Sequence, residues 1–212
     1  MHAGMMICGV VLIGLTALES VDGPEKTVRA LLDDVRLLSE ASGSEAEGRT
    51  ASKISEKIDI SGVSKSCLSA TWDKLPESER AKFVGLFREV LEKVAYPKSA
   101  KFFKDTEIAL GDTTNAAGGK AKVSTEVTHR EEGMVEVDYS LSSVNGKWLI
   151  QDVELDGVSL VLDLRSQMQK IIRENSYETL KSRLREKLEE ETAAKAPASP
   201  ELRGSGHSGP AN

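Results

Sequence analysis

Apolar residues in the first half of the chain recur at the spacing of amphipathic helices. Pro24 suits a first helical turn, and the residues after it predict a helix whose inner face carries Val28, Leu31, Leu32, Val35 and Leu38. Residues 42–48 predict a loop, and residues 49–75 predict two or three short helices. Pro76 then begins a helix whose inner positions are Phe83, Leu86, Phe87, Val90, Leu91 and Val94.

The second half of the chain predicts an antiparallel sheet. Four strands are expected at about 106–111, 120–130, 134–144 and 147–155. Asn145-Gly146 is a strong two-residue hairpin signal, and its register places Leu141 opposite Ile150 and Tyr139 opposite Asp152. Strict alternation would then turn Asp152 inward and Val153 outward. We therefore expect a bulge or bend near Gln151-Asp152 that reverses the alternation.

A long apolar helix follows the last strand, and a second helix follows it. Asp156-Gly157 ends the strand, and Asp156 is predicted to cap the helix. The apolar stripe comprises Val158, Val161, Leu164, Met168, Ile171 and Ile172, and Leu160 and Leu162 widen it, which predicts a helix covered on most sides. Such a helix is either plain core or the wall of an apolar cavity. The predicted fold class is α+β: a bent four-stranded antiparallel sheet with helices on its concave face and an N-terminal helical layer.

Composition and the two ends of the chain define its organisation. The 212 residues are 39% hydrophobic and 29% charged, as expected for one domain, which we place at residues 24–191. The net charge of −6 argues against a nucleic-acid partner. The apolar run 5–18 is short for a bilayer span and predicts a signal peptide at residues 1–22, with a buried N-terminal helix as the alternative. Residues 192–212 predict a disordered tail.

Residues with catalytic or metal-binding chemistry do not form a recognisable set. The three histidines, His2, His129 and His207, are far apart in sequence, and no phosphate loop, nucleophile motif or Cys/His metal pattern is present. We therefore predict no cofactor, no metal and no catalytic residue. Asp152 and Asp156 invite a catalytic interpretation. The simpler interpretation is a helix cap at Asp156 and an ion pair between Asp152 and a nearby cation such as Arg165. Cys67 lies in an apolar helical pattern that predicts buried packing.

Two blocks of residues resemble the MlaC (toluene-tolerance) family of periplasmic phospholipid carriers. The first block holds Asp152-Val153, Asp156 to Val161, Arg165 to Gln167, Ile171-Ile172, Leu180, Leu184 and Lys187. The second holds Ile58-Asp59, Leu68, Trp72, Phe83, Phe87, Leu91 and Tyr96. This chain has Asp163-Leu164 where the family often has Asn-Tyr, and Met168 where it often has Phe.

The resemblance implies the cone-shaped α+β fold of the nuclear-transport-factor-like superfamily and a lipid-binding role. The expected lipid-binding residues are Phe87, Leu91, Val137, Tyr139, Ile150, Val158, Leu160, Val161, Leu164, Met168 and Ile172. The implied partners are a phospholipid, an inner-membrane MCE-domain protein with its ABC transporter complex, and an outer-membrane lipoprotein complex. The implied location is the periplasm. A carrier of another apolar lipid, such as a hopanoid, a cavity enzyme on the same fold and a pure interaction module with a filled core are the alternatives.

Overall fold

The computed structural model describes residues 23–130 and 133–195. The predicted signal peptide and residues 196–212 of the predicted tail lie outside the described residues. The last helix ends at Lys195 and so includes the first four residues of the predicted tail.

Helices form the first part of the chain and two more close it. The helices are α1 (Pro24–Glu40), α2 (Ser44–Ser55), α3 (Ile60–Leu68), α4 (Ala70–Lys74), α5 (Glu77–Val90), α6 (Tyr96–Phe103), α7 (Leu160–Glu174) and α8 (Tyr177–Lys195), with a π-helical turn, Leu91–Ala95, between α5 and α6. Pro24 occupies the first turn of α1, and Pro76 immediately precedes α5, as predicted. The loop predicted at 42–48 is wrong: α2 begins at Ser44, after Gly43 adopts a φ of 92° that favours glycine. Glu45 and Glu47 then suit the positive end of the helix.

The strands form one antiparallel sheet, so the α+β prediction is confirmed. Its strands are β1 (Thr106–Ala116), β2 (Lys120–His129), β3 (Gly133–Val144), β4 (Lys147–Leu155) and β5 (Val158–Ser159), which lie in sequence order across the sheet. The short fifth strand was not predicted. β1 is also longer than predicted, because a bulge between Leu110 and Thr113 lets pairing resume beyond Gly111.

A bulge in β4 sets which residues face the helices. Leu141 pairs with Ile150 as the hairpin predicts, but Tyr139 pairs with Val153 and not with Asp152, because Gln151 is an extra residue. The predicted bulge is thereby confirmed. One face of the sheet carries Val137, Tyr139, Leu141, Ile150 and Val153 into an apolar cluster with the helices. The opposite face carries polar groups, among them Lys122, whose amine pairs with Asp138 and Glu154.

The start of α7 differs from the prediction. Asp156 does not cap the helix; its φ is 46°, and its Oδ1 accepts a hydrogen bond from the Glu136 N–H, which stabilises the turn between β4 and β5. Ser159 caps α7 instead, because its hydroxyl accepts from the Leu162 N–H at 3.0 Å. The expectation that α7 is covered on most sides is also wrong, since Leu162 is 60% exposed.

The apolar core consists of two clusters. One joins the inner face of the sheet to α1, α2 and α6, and it contains Val28, Leu38, Ile54 and Tyr96. The other lies between α3, α5, α7 and α8, and contains Phe83, Cys67, Met168 and Leu180. Ile58 and Leu91 pack against both clusters, so they mark the seam between them.

Candidate functional site

A cavity of about 460 Å³ lies along the seam between the two apolar clusters. This volume is within the roughly 300–1,000 Å³ that small-molecule sites occupy. Leu155 and Leu160 line the cavity and are also 38% and 39% exposed, so the cavity reaches the protein surface beside the start of α7.

Side chains from the sheet, from six helices and from the π-helical turn form the walls. The lining residues are Leu31, Leu32 and Val35 of α1, Ile54 of α2, Ile58 before α3, Val63 of α3, Phe87 of α5, Leu91 and Ala95 of the π-helical turn, Tyr96, Ser99, Phe102 and Phe103 of α6, Val137 and Tyr139 of β3, Ile150 to Val153 and Leu155 of β4, and Leu160, Val161 and Leu164 of α7. Apart from two tyrosines, the polar members of this set are Ser99, Gln151 and Asp152. The walls are therefore almost wholly apolar.

Eight of the eleven residues predicted as lipid-binding line this cavity. They are Phe87, Leu91, Val137, Tyr139, Ile150, Leu160, Val161 and Leu164. The other three do not line it. Val158 is 63% exposed on β5, while Met168 and Ile172 lie further along α7 than Leu164 and belong to the helical cluster.

Sequence reasoning missed the contribution of the N-terminal helices and of α6. Leu31 and Val35 were predicted as inward positions, but their periodicity does not distinguish a cavity wall from solid core. Phe102 and Phe103 of α6 were not among the residues predicted to bind lipid. Their ring centroids are 5.4 Å apart in an edge-to-face arrangement, and two adjacent aromatic residues in a chain that is 4% aromatic are the one signal that could have identified this wall.

The two tyrosines of the cavity wall keep their phenols protonated. Burial raises the pKa of Tyr96 to about 12, against the smaller opposing effect of a hydrogen bond with Ser55. Burial likewise raises the pKa of Tyr139 to about 12, opposed by a hydrogen bond with Thr125. Both rings thus present a neutral surface to the cavity.

The polar groups where β4 meets the helices are satisfied within the protein. Gln151 Nε2 donates to Asp59 Oδ2 at 2.8 Å, and the other oxygen of Asp59 accepts from the Gly62 N–H at 2.9 Å, which caps α3. The backbone N–H and C=O of Ile150 bond to Lys57 and Asp59, at 2.9 Å each. These hydrogen bonds therefore join the bulge in β4 to the segment that leads into α3.

Asp152 acts as a structural group at the start of α7. Its Oδ1 accepts from the N–H groups of Val153 and Val161, and its Oδ2 accepts from the Ser159 hydroxyl. Arg165 does not pair with it; the Arg165 guanidinium donates to Ser69 Oγ at 3.0 Å instead. The predicted ion pair between Asp152 and Arg165 is therefore wrong, because the backbone and hydroxyl donors of the helix start occupy the carboxylate.

The part of the chain that the structure describes has few side chains suited to metal or redox chemistry. No group of three or more His, Cys, Asp or Glu side chains that could hold a metal occurs in residues 23–130 and 133–195. The same part of the chain contains no helix with the length and apolarity that a bilayer span requires. Cys67 is fully buried, and burial raises the pKa of its thiol to about 11.

Comparisons with known proteins agree with this architecture. A family model described as MlaC protein matches residues 25–186. Among solved structures, a phospholipid-binding protein from Ralstonia solanacearum, in complex with a phospholipid, is similar with a TM-score of 0.65 and 16% identity, over 79% of this chain and 96% of that chain. At that identity the likeness shows the fold. No curated protein sequence matches the chain significantly.

Proposed function

The chain belongs to the MlaC family, and from that premise we propose that it is a phospholipid-binding carrier whose acyl-chain site is the cavity between the sheet and the helices. The observation that carries the proposal is the composition of the walls. An apolar cavity of about 460 Å³ that reaches the surface fits a ligand that is mostly hydrocarbon.

The energy of acyl chains in water explains why a carrier needs such a cavity. Each methylene removed from water contributes about 0.8 kcal/mol, so two tails of roughly 30 methylenes together represent on the order of 24 kcal/mol. An exposed patch covers only one side of a chain, whereas a cavity surrounds it. Affinity is therefore expected to come from the tails and to depend weakly on the head group.

Eight predicted residues are assigned to acyl-chain contact on this basis. They are Phe87, Leu91, Val137, Tyr139, Ile150, Leu160, Val161 and Leu164, all of which line the cavity. The head group is placed at the opening beside Leu155 and Leu160, where the walls are partly exposed. Val158, Met168 and Ile172 are left out of this assignment because they lie outside the lining.

The proposed setting is the periplasm, entered through the signal peptide predicted at residues 1–22. There the protein would carry phospholipid between an outer-membrane lipoprotein complex and an inner-membrane MCE-domain protein with its ABC transporter, and so help to maintain outer-membrane lipid asymmetry. Membership of the family supports this setting. A carrier binds without turnover, and Asp152 and Asp156, the two carboxylates considered for catalysis, both serve local structure.

Native mass spectrometry of the protein purified from the periplasm of its own host tests the proposal. The expected species is a chain that begins between Leu18 and Lys26, with the added mass of one phospholipid that is released on denaturation. A hopanoid-like adduct would support the alternative apolar lipid. A chain that starts at Met1 would contradict export, and a processed chain without lipid would contradict the carrier.

A further inference from the structure

A second groove, separate from the apolar cavity, lies on the outer flank of α7. Its volume is about 410 Å³, and it is lined by Ser69, Leu162, Arg165, Ser166, Gln169 and Arg173. We refer to it as the arginine groove. Val161 and Leu164 of the same helix line the apolar cavity, so successive residues of α7 serve two different surfaces.

Helical spacing brings the polar residues of the arginine groove together. Arg165, Gln169 and Arg173 are four residues apart, so they form one stripe along α7. Gln169 Nε2 donates to the backbone oxygens of Cys67 and Leu68, at 2.9 Å each, and these bonds fix the stripe against the end of α3. The face of α7 that carries both arginines is therefore held against the rest of the fold.

Ser69 forms the opposite side of the groove in an unusual backbone conformation. Its φ of 49° and ψ of −130° lie in a region that residues with side chains rarely adopt. Its Oγ accepts a hydrogen bond from Arg165 Nη2 at 3.0 Å, so its own hydroxyl hydrogen stays available for another acceptor. This conformation brings the hydroxyl to the groove, next to Arg165.

The charge of the arginine groove is not neutralised from within. Its lining contains no Asp or Glu, and among the described residues neither Arg165 nor Arg173 forms an ion pair. Other cations of the protein do pair: Lys57 with Asp34 and Lys181 with Glu79 are examples. Two unpaired guanidinium groups in one groove are notable on a chain whose net charge is −6.

We propose that the arginine groove binds a phosphate group. Guanidinium groups form paired, charge-assisted hydrogen bonds with phosphate oxygens. A phosphate monoester carries about −1.5 to −2 charges and three acceptor oxygens, which matches two arginines and the Ser69 and Ser166 hydroxyls better than a single carboxylate does. The phosphate can belong to a soluble phosphate compound or to a lipid head group, and the inference does not depend on what the apolar cavity holds.

Isothermal titration with inorganic phosphate, at constant ionic strength and with chloride as the reference anion, tests the site. The full chain is expected to show one saturable site. The double variant Arg165→Gln/Arg173→Gln should bind at least tenfold more weakly. The matched control is Arg183→Gln/Arg185→Gln on α8, which removes the same charge from exposed positions outside the groove and should bind like the wild type.

The double variant removes the hydrogen bond from Arg165 to Ser69 and with it a contact of the fold. A single variant at Arg173 is therefore measured beside it. Arg173 has no hydrogen bond among the described residues, and Arg173→Gln alone should weaken phosphate binding several-fold while the thermal midpoint stays unchanged. If the wild type shows no saturable phosphate binding, a soluble phosphate compound is excluded as the ligand and only a lipid head group remains. Equal binding by wild type, Arg173→Gln and the double variant would overturn the groove assignment outright.

Vesicle sedimentation distinguishes the two sources of phosphate. Phosphatidylcholine vesicles with and without phosphatidic acid are compared, for wild type, the double variant and the α8 control. If phosphatidic acid makes the wild type and the control sediment with the vesicles, and the double variant stays in solution, the ligand is a lipid head group. Phosphate binding without such sedimentation identifies a soluble compound. If wild type shows neither, or if the double variant keeps both, the proposal is wrong.

Discussion

The carboxylate of Asp152, near the end of β4, accepts a hydrogen bond from the hydroxyl of Ser159, the residue that caps α7. The same carboxylate accepts from the Val161 N–H at 3.1 Å. Asp152 and Ser159 thus satisfy donors at the start of the helix whose next residues form one wall of the cavity. A carboxylate that sequence alone offers as a catalytic candidate is in this way part of the cavity's framework.

Removal of this cap should reduce stability. Ser159→Ala is expected to lower the free energy of unfolding by about 1 kcal/mol, as for other helix caps. Asp152→Ala should cost about 1–3 kcal/mol, because it leaves the Val161 N–H and the Ser159 hydroxyl without their acceptor. Denaturant unfolding measures both values. Gln167→Ala, an exposed change on the same helix, is the control and should stay within about 0.5 kcal/mol. An unchanged Asp152→Ala variant would contradict the structural role.

Cys67 should resist thiol reagents in the folded protein. Burial raises the pKa of its thiol to about 11, although nearby Arg165 lowers it in part. At pH 8 about one thiol in a thousand is then ionised, and the thiolate is the reactive form. Labelling of a chain that begins at Gly23, and so lacks Cys8, should be slow at pH 8 and become rapid in guanidinium chloride. Rapid labelling of the folded chain would show that Cys67 is accessible.

The tyrosines of the cavity wall predict a loss of stability in alkali. The pKa of Tyr96 and of Tyr139 in the folded state is about 12, above the value of about 10 in an unfolded chain. The folded state therefore holds these protons more tightly, and the stability gained is complete below about pH 10 and lost as the pH rises through 12. The free energy of unfolding should fall over this window, together with the appearance of phenolate absorbance.

The variant Tyr139→Phe separates this effect from general alkaline damage. It removes one of the titrating phenols, so its decline between pH 10 and 12 should be shallower than that of the wild type. A wild-type protein whose phenols ionise near pH 10 without unfolding would contradict the burial of both rings.

Local signals in the sequence predicted much of the sheet and helix order. The Asn145-Gly146 turn fixed the hairpin register, and the conflict between Asp152 and Val153 located the bulge in β4. Both signals act over a few residues, where turn geometry and side-chain alternation are decisive. The start of α2 was missed, since Gly43 and the serines near it also suit a loop.

The cavity itself was harder to predict, for a physical reason. An apolar residue such as Val137 has the same sequence pattern whether it faces packed atoms or empty space. Whether space remains depends on how residues far apart in sequence, such as Val35 and Phe103, meet across the fold. The start of α7 shows the same limit, because Asp156 and Ser159 are both residue types that cap helices. Asp156 bonds to Glu136 in the turn before β5, and Ser159 caps α7.

A cavity-filling substitution tests the central claim most directly. Val137 is fully buried on β3 and lines the cavity, and Leu164 lines it from α7. The variants Val137→Trp and Leu164→Trp are compared with Val123→Trp, where the wild-type side chain is fully buried on β2 and does not line the cavity. A tryptophan in solid core overpacks and costs about 1–3 kcal/mol, which is the result expected for Val123→Trp.

Two quantities are measured for each variant: the lipid-to-protein ratio of the purified protein and the unfolding midpoint of the lipid-free protein. The account predicts that Val137→Trp and Leu164→Trp lose bound phospholipid while the midpoint holds or rises, because the new ring occupies space that an acyl chain would fill. If both variants lose stability as Val123→Trp does, and keep the same lipid as the wild type, these residues are solid core and the cavity is not the binding site.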